Sequence, residues 1–371
     1  GQFDAATFLE HTWQQQPCLL RGLLPNFRDP ISPDELAGLA CEEDVESRLV
    51  SRHDDGWRAR FGPFEEAEFQ SLPESGWSLL VQAVDLWLPE VAALSHGFGF
   101  IPAWRREDVM VSFATDGGGV GPHFDHYDVF LVQGMGRRRW RIGPPCTSES
   151  ALEDNPELRL LKDFQAREEH VLTPGDVLYI PPGYGHWGES MGDSLCYSVG
   201  FRAPSASDAM LGYADFVAAG QEQAKRYRDP SPVGFGQAGE ISQKVISQLQ
   251  ALIIDGFPDC KPYYLRRWFG CHVTAPRDPS FLVPPELELT TLTPGQGLRP
   301  YPATRLAWTQ DGDHTLLFCN GQHYSLPGTA AEELVQLCAV TVFTVRENSQ
   351  LVSLLTELVN SGALELVAAT A

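Results

Sequence analysis

The sequence predicts a mainly β protein with added helices, arranged as three successive units. Apolar runs of strand length and glycine-rich turns make the first unit, residues 1–204, rich in β-structure. Apolar residues at helical spacing predict a helical second unit over 205–274. Turn signals followed by helical stretches predict a mixed third unit over 275–371. A chain of 371 residues is long for one hydrophobic core, so two or three units are expected.

The glycine-rich stretch GGGVGPHFDHYD at 117–128 is the most informative part of the first unit. It contains His123 and Asp125, whose side chains point to the same side if the chain is extended there. His186 follows the apolar run 177–181, on a turn that can return it toward the same place. Two imidazoles and one carboxylate form the facial triad of non-haem iron oxygenases, so these three residues are predicted metal ligands and catalytic residues.

A His-x-Asp tripeptide is common, and a second pair, His126 and Asp128, overlaps the first. The glycines before His123, the apolar strand that follows at 129–132 and the distant His186 favour the first pair. The alternative is that these histidines and carboxylates only form hydrogen bonds within a β core. We interpret His126 and Asp128 as polar residues that flank the strand.

The run GRRRWRIG at 136–143 alternates as a strand does, which places Arg138, Trp140 and Ile142 on one face. Trp and Ile indicate that this face is the inside of a barrel, so Arg138 is predicted to point inward. A buried guanidinium requires an anionic partner, and a carboxylate fits its geometry. That partner is either an acidic residue of the chain or the distal carboxylate of a dicarboxylic co-substrate. Ser198, on a later strand, is a second candidate for this carboxylate, although strand serines usually only pack.

Four motifs occur in a fixed order: GGGVGPHFDHYDVFLVQG, GRRRW, LTPGDVLYIPPGYGH and YSVGFRAP. In this order and spacing they resemble the Jumonji-C (JmjC) ribosomal oxygenases. Within that family the chain is most similar to the bacterial hydroxylases that act on an arginine of a 50S ribosomal protein. Supporting similarity lies in the segments 8–22, 29–40 and 77–85. The resemblance covers the whole chain and is strongest over 1–204.

The resemblance implies a double-stranded β-helix, the jelly roll of cupins and JmjC domains, preceded by N-terminal helices. It also implies Fe(II) as cofactor, with 2-oxoglutarate and O2 as co-substrates. His123, Asp125 and His186 match the family's iron ligands, and Arg138 matches the basic residue that binds the far end of 2-oxoglutarate. The implied enzyme is a 2-oxoglutarate-dependent dioxygenase that hydroxylates C3 of an arginine in a large-subunit ribosomal protein.

The composition favours a basic partner. The 49 acidic and 27 basic residues give a formal charge of −22, which suits a cationic ribosomal protein as substrate. The alternative is that the acidity only serves solubility. Asp116, just before the triple glycine, is a candidate contact for the substrate arginine.

The helical unit combines a first helix that starts at Ser205 with a second helix that has a wide apolar face. That face consists of Ile241, Val245, Leu249 and Leu252, flanked by Ile246 and Ile253. It is wider than one neighbouring helix requires. The resembling family has a helical dimerisation module here, which implies a homodimer. The alternative is a helix pair that packs only within its own chain.

The third unit follows a proline-rich segment at 276–285. Asp311-Gly312 and Asn320-Gly321 separate short apolar strands and predict a three-stranded meander. Helices are expected at 329–340 and 349–360. The unit is similar to the winged-helix domain of ribosomal oxygenases.

Several partners and locations are disfavoured by the sequence. Residues 275–371 contain four basic and ten acidic residues, a net charge of −6, whereas phosphate binding needs positive charge, so direct nucleic-acid binding is not expected. Apolar segments of membrane-spanning length, a signal peptide and C-x-x-C pairs among the eight cysteines are not found. A cytoplasmic protein without a membrane partner is expected.

Three functions remain open from the sequence. The first is the arginine hydroxylase described above. The second keeps the JmjC enzyme class but changes the reaction, to histidine hydroxylation or demethylation of methyl-lysine. The third is a non-catalytic, metal-binding scaffold.

Overall fold

The computed structural model describes residues 3–54, 56–220, 226–228, 241–256, 262–277, 291–339 and 342–367. The chain separates into two compact units, Gly1–Ala203 and Pro204–Ala371. The proline-rich segment lies, from residue 278 onward, outside the described residues. Across the described ranges, helices are too short or too polar to cross a membrane.

Unit one contains two antiparallel sheets and four short helices. The helices are α1 (Ala5–His11), α2 (Pro33–Leu39), α3 (Glu66–Gln70) and α4 (Pro89–His96). The strands are β1 (Cys18–Leu20), β2 (Ser47–His53), β3 (Gly56–Phe61), β4 (Trp77–Val81), β5 (Arg106–Ala114), β6 (Asp128–Gln133), β7 (Arg138–Pro145), β8 (Glu168–Leu172), β9 (Val177–Ile180), β10 (Tyr184–Ser190) and β11 (Ser194–Phe201). The large sheet has the order β1-β9-β6-β11-β5-β4-β2-β3, and the small sheet has the order β10-β7-β8.

Local sequence explains where these elements begin. Helix α2 starts at a capping box, in which Ser32 and Glu35 each accept from the other's backbone N–H, and Pro33 occupies the first helical turn. Strand β7 has the predicted alternation, because Arg138, Trp140 and Ile142 are buried while the residues between them are partly exposed. Strand β6 is buried throughout, since both faces of the large sheet are covered.

Each face of the large sheet has its own core. The outer face packs beneath the N-terminal helices through residues such as Phe130 and Tyr179. The inner face meets the small sheet through Val129, Leu131, Trp140, Ile142, Leu172, Leu178, Ile180 and Cys196. An extension of the inner face, over β2 to β5, packs Val50, Ala59 and Leu80 beneath Leu158 and Leu160. The two facing sheets are the architecture predicted as a double-stranded β-helix.

Unit two combines helices with two three-stranded sheets. Its helices are α5 (Ala206–Ala219), α6 (Gln243–Gly256), α7 (Pro262–Thr274), α8 (Ala331–Ala339) and α9 (Val352–Asn360). Its strands are β12 (Gly297–Pro300), β13 (Leu306–Asp311), β14 (His314–Cys319), β15 (Gln322–Pro327), β16 (Phe343–Thr344) and β17 (Leu364–Val367). The sheets have the orders β13-β14-β15 and β16-β12-β17.

The predicted meander is strands β13 to β15. Asn320 and Gly321, at φ 49° and 80°, form the tight turn between β14 and β15, since a two-residue hairpin loop of this kind needs left-handed backbone. Helix α7 packs against this meander, where a Cβ at Gly270 would lie 2.3 Å from the Phe318 ring. Trp268 of the same helix packs edge-on against Tyr213 of α5. Helix α7 therefore joins the helices to the meander, and the division proposed between residues 274 and 275 falls just after it.

Candidate metal centre

The loop between β5 and β6 places His123 opposite His186 of β10. The two residues exchange backbone hydrogen bonds, with N···O distances of 3.0 and 2.8 Å. Gly119 allows the loop to approach β10 closely, because a Cβ at this position would lie 2.3 Å from the carbonyl oxygen of Gly188. His123 and Asp125 therefore lie on a loop, where isolated β-bridges join Gly119 to Glu189 and His123 to His186, rather than on the regular strand that their spacing predicted.

The three predicted ligands come together. The Asp125 Oδ2 atom lies 4.0 Å from His123 Nε2 and 3.6 Å from His186 Nε2, and all three donor atoms lie within 4.8 Å of one another. The other ring nitrogens are engaged, since Nδ1 of His123 donates to the Gly121 carbonyl (3.0 Å) and Nδ1 of His186 to the Tyr184 carbonyl (2.9 Å). These bonds fix the tautomers and turn both Nε2 atoms toward the shared point. Two neutral imidazoles and one carboxylate fit Fe(II) with open coordination positions.

Burial prepares His186 for metal binding. Burial first, and then the neighbouring His123, lowers the pKa of His186 to about 4. Asp125 and the Tyr184 carbonyl act in the opposite direction but more weakly. His186 is therefore neutral near pH 7, which is the form that ligates a metal.

The overlapping His126 and Asp128 pair is separated from this centre. Asp128 is fully buried, and its carboxylate accepts hydrogen bonds from Tyr179 (2.6 Å), Gln14 (3.0 Å) and Arg105 (2.8 Å). His126 is exposed and packs edge-on against Phe124. Asp128 thus anchors N-terminal residues to the outer face of the large sheet.

Arg138 is 7% exposed and is held only by neutral groups. Its Nε donates to Ser194 Oγ (2.8 Å), Nη1 to Ser112 Oγ (2.8 Å), and Nη2 to the carbonyls of Ser112 (2.9 Å) and Ser194 (3.3 Å). Within the part of the chain that the structure describes, no carboxylate pairs with it. The internal salt bridge considered from the sequence is therefore not formed among these residues, and one Nη1 N–H remains for another acceptor.

Two serines that hold Arg138 were missed from the sequence. Ser112 and Ser194 lie on β5 and β11 of the large sheet, whereas Arg138 lies on β7 of the small sheet, so packing of one sheet on the other brings them together. Ser198 lies on the inner face of β11, opposite Met110 and Leu131, and its side chain forms none of the hydrogen bonds described for Arg138.

Asp116 lies outside the ligand cluster. It is exposed, and its Oδ1 accepts from the backbone N–H of Gly192 (2.7 Å) in the turn between β10 and β11. This contact stabilises the turn, and a contact between Asp116 and a substrate arginine stays a prediction.

A second acidic residue, Asp108, was missed from the sequence. Strand alternation puts it on the inner face with Met110, and it accepts from Gln82 Nε2 (2.6 Å). After burial, its charge and that of Asp125 both raise the pKa of Tyr127. The alternation of β5 alone did not single out Asp108, because polar residues are ordinary in an amphipathic strand.

Comparisons with known proteins agree with this geometry. The family model described as JmjC domain matches residues 93–209, and the model described as ROXA-like winged helix matches residues 251–365. The ribosomal protein uL16 3-hydroxylase of Escherichia coli is 42% identical over 279 residues, which cover 75% of this chain and 74% of the relative. The probable ribosomal oxygenase of Haemophilus influenzae is 38% identical over 254 residues, covering 67% of this chain and 63% of the relative.

Solved structures extend the similarity to almost the full length. The structure of YcfD, a ribosomal oxygenase from Escherichia coli, in complex with cobalt and 2-oxoglutarate matches with a TM-score of 0.80 at 35% identity, over 99% of both chains. The fold class predicted from the sequence is thereby confirmed, including the winged-helix domain. The chain belongs to the ribosomal oxygenase family of JmjC-domain proteins.

Proposed function

We propose that this chain is an Fe(II)- and 2-oxoglutarate-dependent hydroxylase that acts on C3 of an arginine in the large-subunit ribosomal protein uL16. The observation that carries the proposal is the converging His123, Asp125 and His186 cluster in the same barrel as a buried Arg138 that lacks a carboxylate partner among the described residues. Relatives support it, since one is named a uL16 3-hydroxylase and another was solved with cobalt and 2-oxoglutarate.

The prediction of iron and 2-oxoglutarate as cofactor and co-substrate is confirmed by family membership and by the donor set. When bound, they supply the oxidising chemistry that uses O2. The chain positions them: His123, Asp125 and His186 hold the metal, and Arg138 receives the distal carboxylate of 2-oxoglutarate. Trp140, packed 6.0 Å from the His186 ring, helps to exclude water from the barrel interior.

An arginine substrate suits the acidic groups near the metal. Asp108 lies on the open part of the inner face, half-exposed, while Asp125 lies at the metal itself. A guanidinium between them would satisfy its planar donors with charge-assisted hydrogen bonds. The formal charge of −22 also favours the approach of a basic ribosomal protein.

The test is mass analysis of ribosomal proteins after incubation with the chain, Fe(II), 2-oxoglutarate and O2. We expect uL16 to gain the mass of one oxygen atom on one arginine. His186→Ala is expected to abolish this gain, while His126→Ala, a change at an exposed histidine nearby, keeps it.

Other outcomes separate the alternatives. Oxygen on a histidine, or loss of methyl groups from lysine, would replace the arginine assignment within the JmjC enzyme class. Absence of both product and succinate would favour a metal-binding scaffold without turnover.

We also propose a cytoplasmic homodimer that does not bind nucleic acid directly. Helices α5 and α6, with Ile241 just before α6, leave large apolar side chains exposed in the single chain: Met210, Leu211, Ile241, Ile246, Leu249, Ile253 and Ile254. Burial of such a face against a second copy is favourable. The acidic balance of residues 275–371 supports a winged helix that does not contact phosphates.

A further inference from the structure

Arg48 lies on the inner face of the large sheet. Its neighbour Leu49 packs in the outer core, whereas Val50 packs in the inner core, so alternation along β2 turns Arg48 inward. Strand register confirms this, because Arg48 pairs with Leu80, and Leu80 pairs with Ser112. Arg48 therefore lies two strand spacings, about 10 Å, from Ser112, which accepts a hydrogen bond from Arg138, the predicted co-substrate anchor.

The guanidinium of Arg48 has no anionic partner in the described part of the chain. It is half-buried, and the ion pairs and hydrogen bonds of the described residues do not include its side chain. Other arginines of the same hairpin differ, for example Arg60, which pairs with Glu68 on the opposite face. An unpaired, half-buried cation is unexpected in a chain of formal charge −22.

Arg48 lies on the half-exposed part of the inner face, two strands away from Ser112, which accepts a hydrogen bond from Arg138. Phe61, directly opposite Arg48 on the edge strand β3, is 61% exposed. A cation and an exposed aromatic ring are thus cross-strand neighbours near the edge of the large sheet.

We infer that Arg48 determines substrate specificity, by binding an oxygen acceptor of the substrate polypeptide next to the hydroxylated residue. The inference rests on the proposed function. The acceptor is a peptide carbonyl or a carboxylate, the groups that satisfy a guanidinium. The cationic target side chain is directed to Asp108, and the positive charge of Arg48, elsewhere on the same face of the sheet, repels it. Arg48 and Asp108 together thereby set the direction in which the substrate polypeptide lies.

Binding of 2-oxoglutarate explains Arg48 less well than it explains Arg138. Arg138 is oriented by the four hydrogen bonds that it donates to two serines within the closed barrel. Arg48 lies on the partly exposed extension of the inner face, outside that barrel. Its role is therefore in substrate positioning, and a change there should act on KM for the polypeptide and not on kcat.

The experiment is steady-state kinetics of the full chain with a uL16 peptide centred on the hydroxylated residue. We expect Arg48→Gln to raise KM for the peptide about tenfold, the value of one lost charge-assisted hydrogen bond, with kcat changed less than about twofold. KM for 2-oxoglutarate should stay the same, and Arg48→Lys should recover part of the loss. Arg60→Gln, on the opposite face, is the matched control and should behave as the unmodified chain.

An alanine scan of the peptide, combined with Arg48→Gln in double-mutant cycles, separates the two acceptors. If the effect of Arg48→Gln is coupled to the replacement of one Asp or Glu of the peptide, the acceptor is that carboxylate. If Arg48→Gln raises KM but is coupled to no peptide side chain, the acceptor is a peptide carbonyl. An unchanged peptide KM, or a raised KM for 2-oxoglutarate, overturns the inference. So does a loss confined to intact ribosomal particles, which would assign Arg48 to an RNA phosphate. Whether the unmodified chain hydroxylates the peptide at all tests the proposed function, separately from the effect of Arg48→Gln.

Discussion

Arg138 carries a charge that the described residues leave without a counter-charge. Four hydrogen bonds to serine hydroxyls and carbonyls orient it, but they do not compensate the cost of burying a cation. The co-substrate carboxylate would supply the missing charge. A residue that is costly for the empty protein and favourable for the loaded one is typical of a binding site.

We therefore expect Arg138→Met to remove co-substrate binding without weakening the fold. Without 2-oxoglutarate its melting temperature should equal or exceed that of the unmodified chain, because an uncompensated charge leaves the core. A 100-fold excess of 2-oxoglutarate over its Kd should add about 2.7 kcal/mol to the unmodified chain and nothing to the variant. Scanning fluorimetry measures both effects. Arg139→Met, on the outward face beside Glu169, is the control, and a variant that still responds to 2-oxoglutarate would contradict the assignment.

His186 makes the metal-free protein sensitive to acid. Its pKa is lowered to about 4 by burial and by His123, whereas the ordinary value is 6.5. The unfolded chain therefore binds the proton first, so stability is complete above pH 6.5 and falls as the pH drops toward 4. The predicted loss is on the order of 3 kcal/mol.

Urea unfolding of the metal-free chain between pH 7 and pH 4 measures this loss. His186→Asn should flatten the profile, because its side chain does not titrate. An identical profile in the variant would place the acid sensitivity elsewhere. Bound metal should add stability at neutral pH and lose that benefit in acid, since protons compete for the same nitrogen atoms.

Among the elements, helix α7 depends on the absence of a side chain at one position. A Cβ at Gly270 would approach the Phe318 ring to 2.3 Å, which is too close for contact. A Cβ at Gly38, in helix α2, would have no neighbouring atom within 4 Å. The same substitution should therefore have opposite effects at the two glycines.

Gly270→Ala is expected to destabilise unit two by about 1–3 kcal/mol, because the helix must move away from the meander. Gly38→Ala is expected to stabilise unit one by about 0.5–1 kcal/mol, because alanine favours the helix. Chemical unfolding of the full chain, followed by tryptophan fluorescence, measures both. Equal effects would show that α7 does not pack against the meander as described.

The strands also show which structural features a sequence pattern can predict. Alternation within β7 correctly turned Arg138 inward, since that information is local. Its partners Ser112 and Ser194 lie on strands of the other sheet, and their contact depends on how the two sheets pack, which one strand's pattern does not encode. For the same reason Arg48 and Asp108 gave no signal. The cluster of His123, Asp125 and His186 was predictable because glycine spacing and family motifs accompany these residues.

At the scale of the whole molecule, the proposed catalytic site and the proposed dimer surface belong to different units. The barrel interior of unit one is closed by packing between its two sheets. Helix α6 of unit two has no buried residue in the single chain, although its apolar residues recur on one stripe. A helix with so little support from its own chain is marginal in water. The exposed stripe therefore supports the proposed homodimer.

We predict that the chain is a homodimer and that charges on this stripe dissociate it. Leu249→Asp with Ile253→Asp places two carboxylates among residues that are 43% and 54% exposed in the single chain. Buried unpaired charges are costly in an interface, so the double variant should sediment as a monomer while the unmodified chain sediments as a dimer. Ala251→Asp, on the opposite side of α6, adds a charge without entering the stripe and should leave the dimer intact. Sedimentation velocity over a range of concentrations decides this, and a monomeric unmodified chain would show that the helices pack only within their own chain.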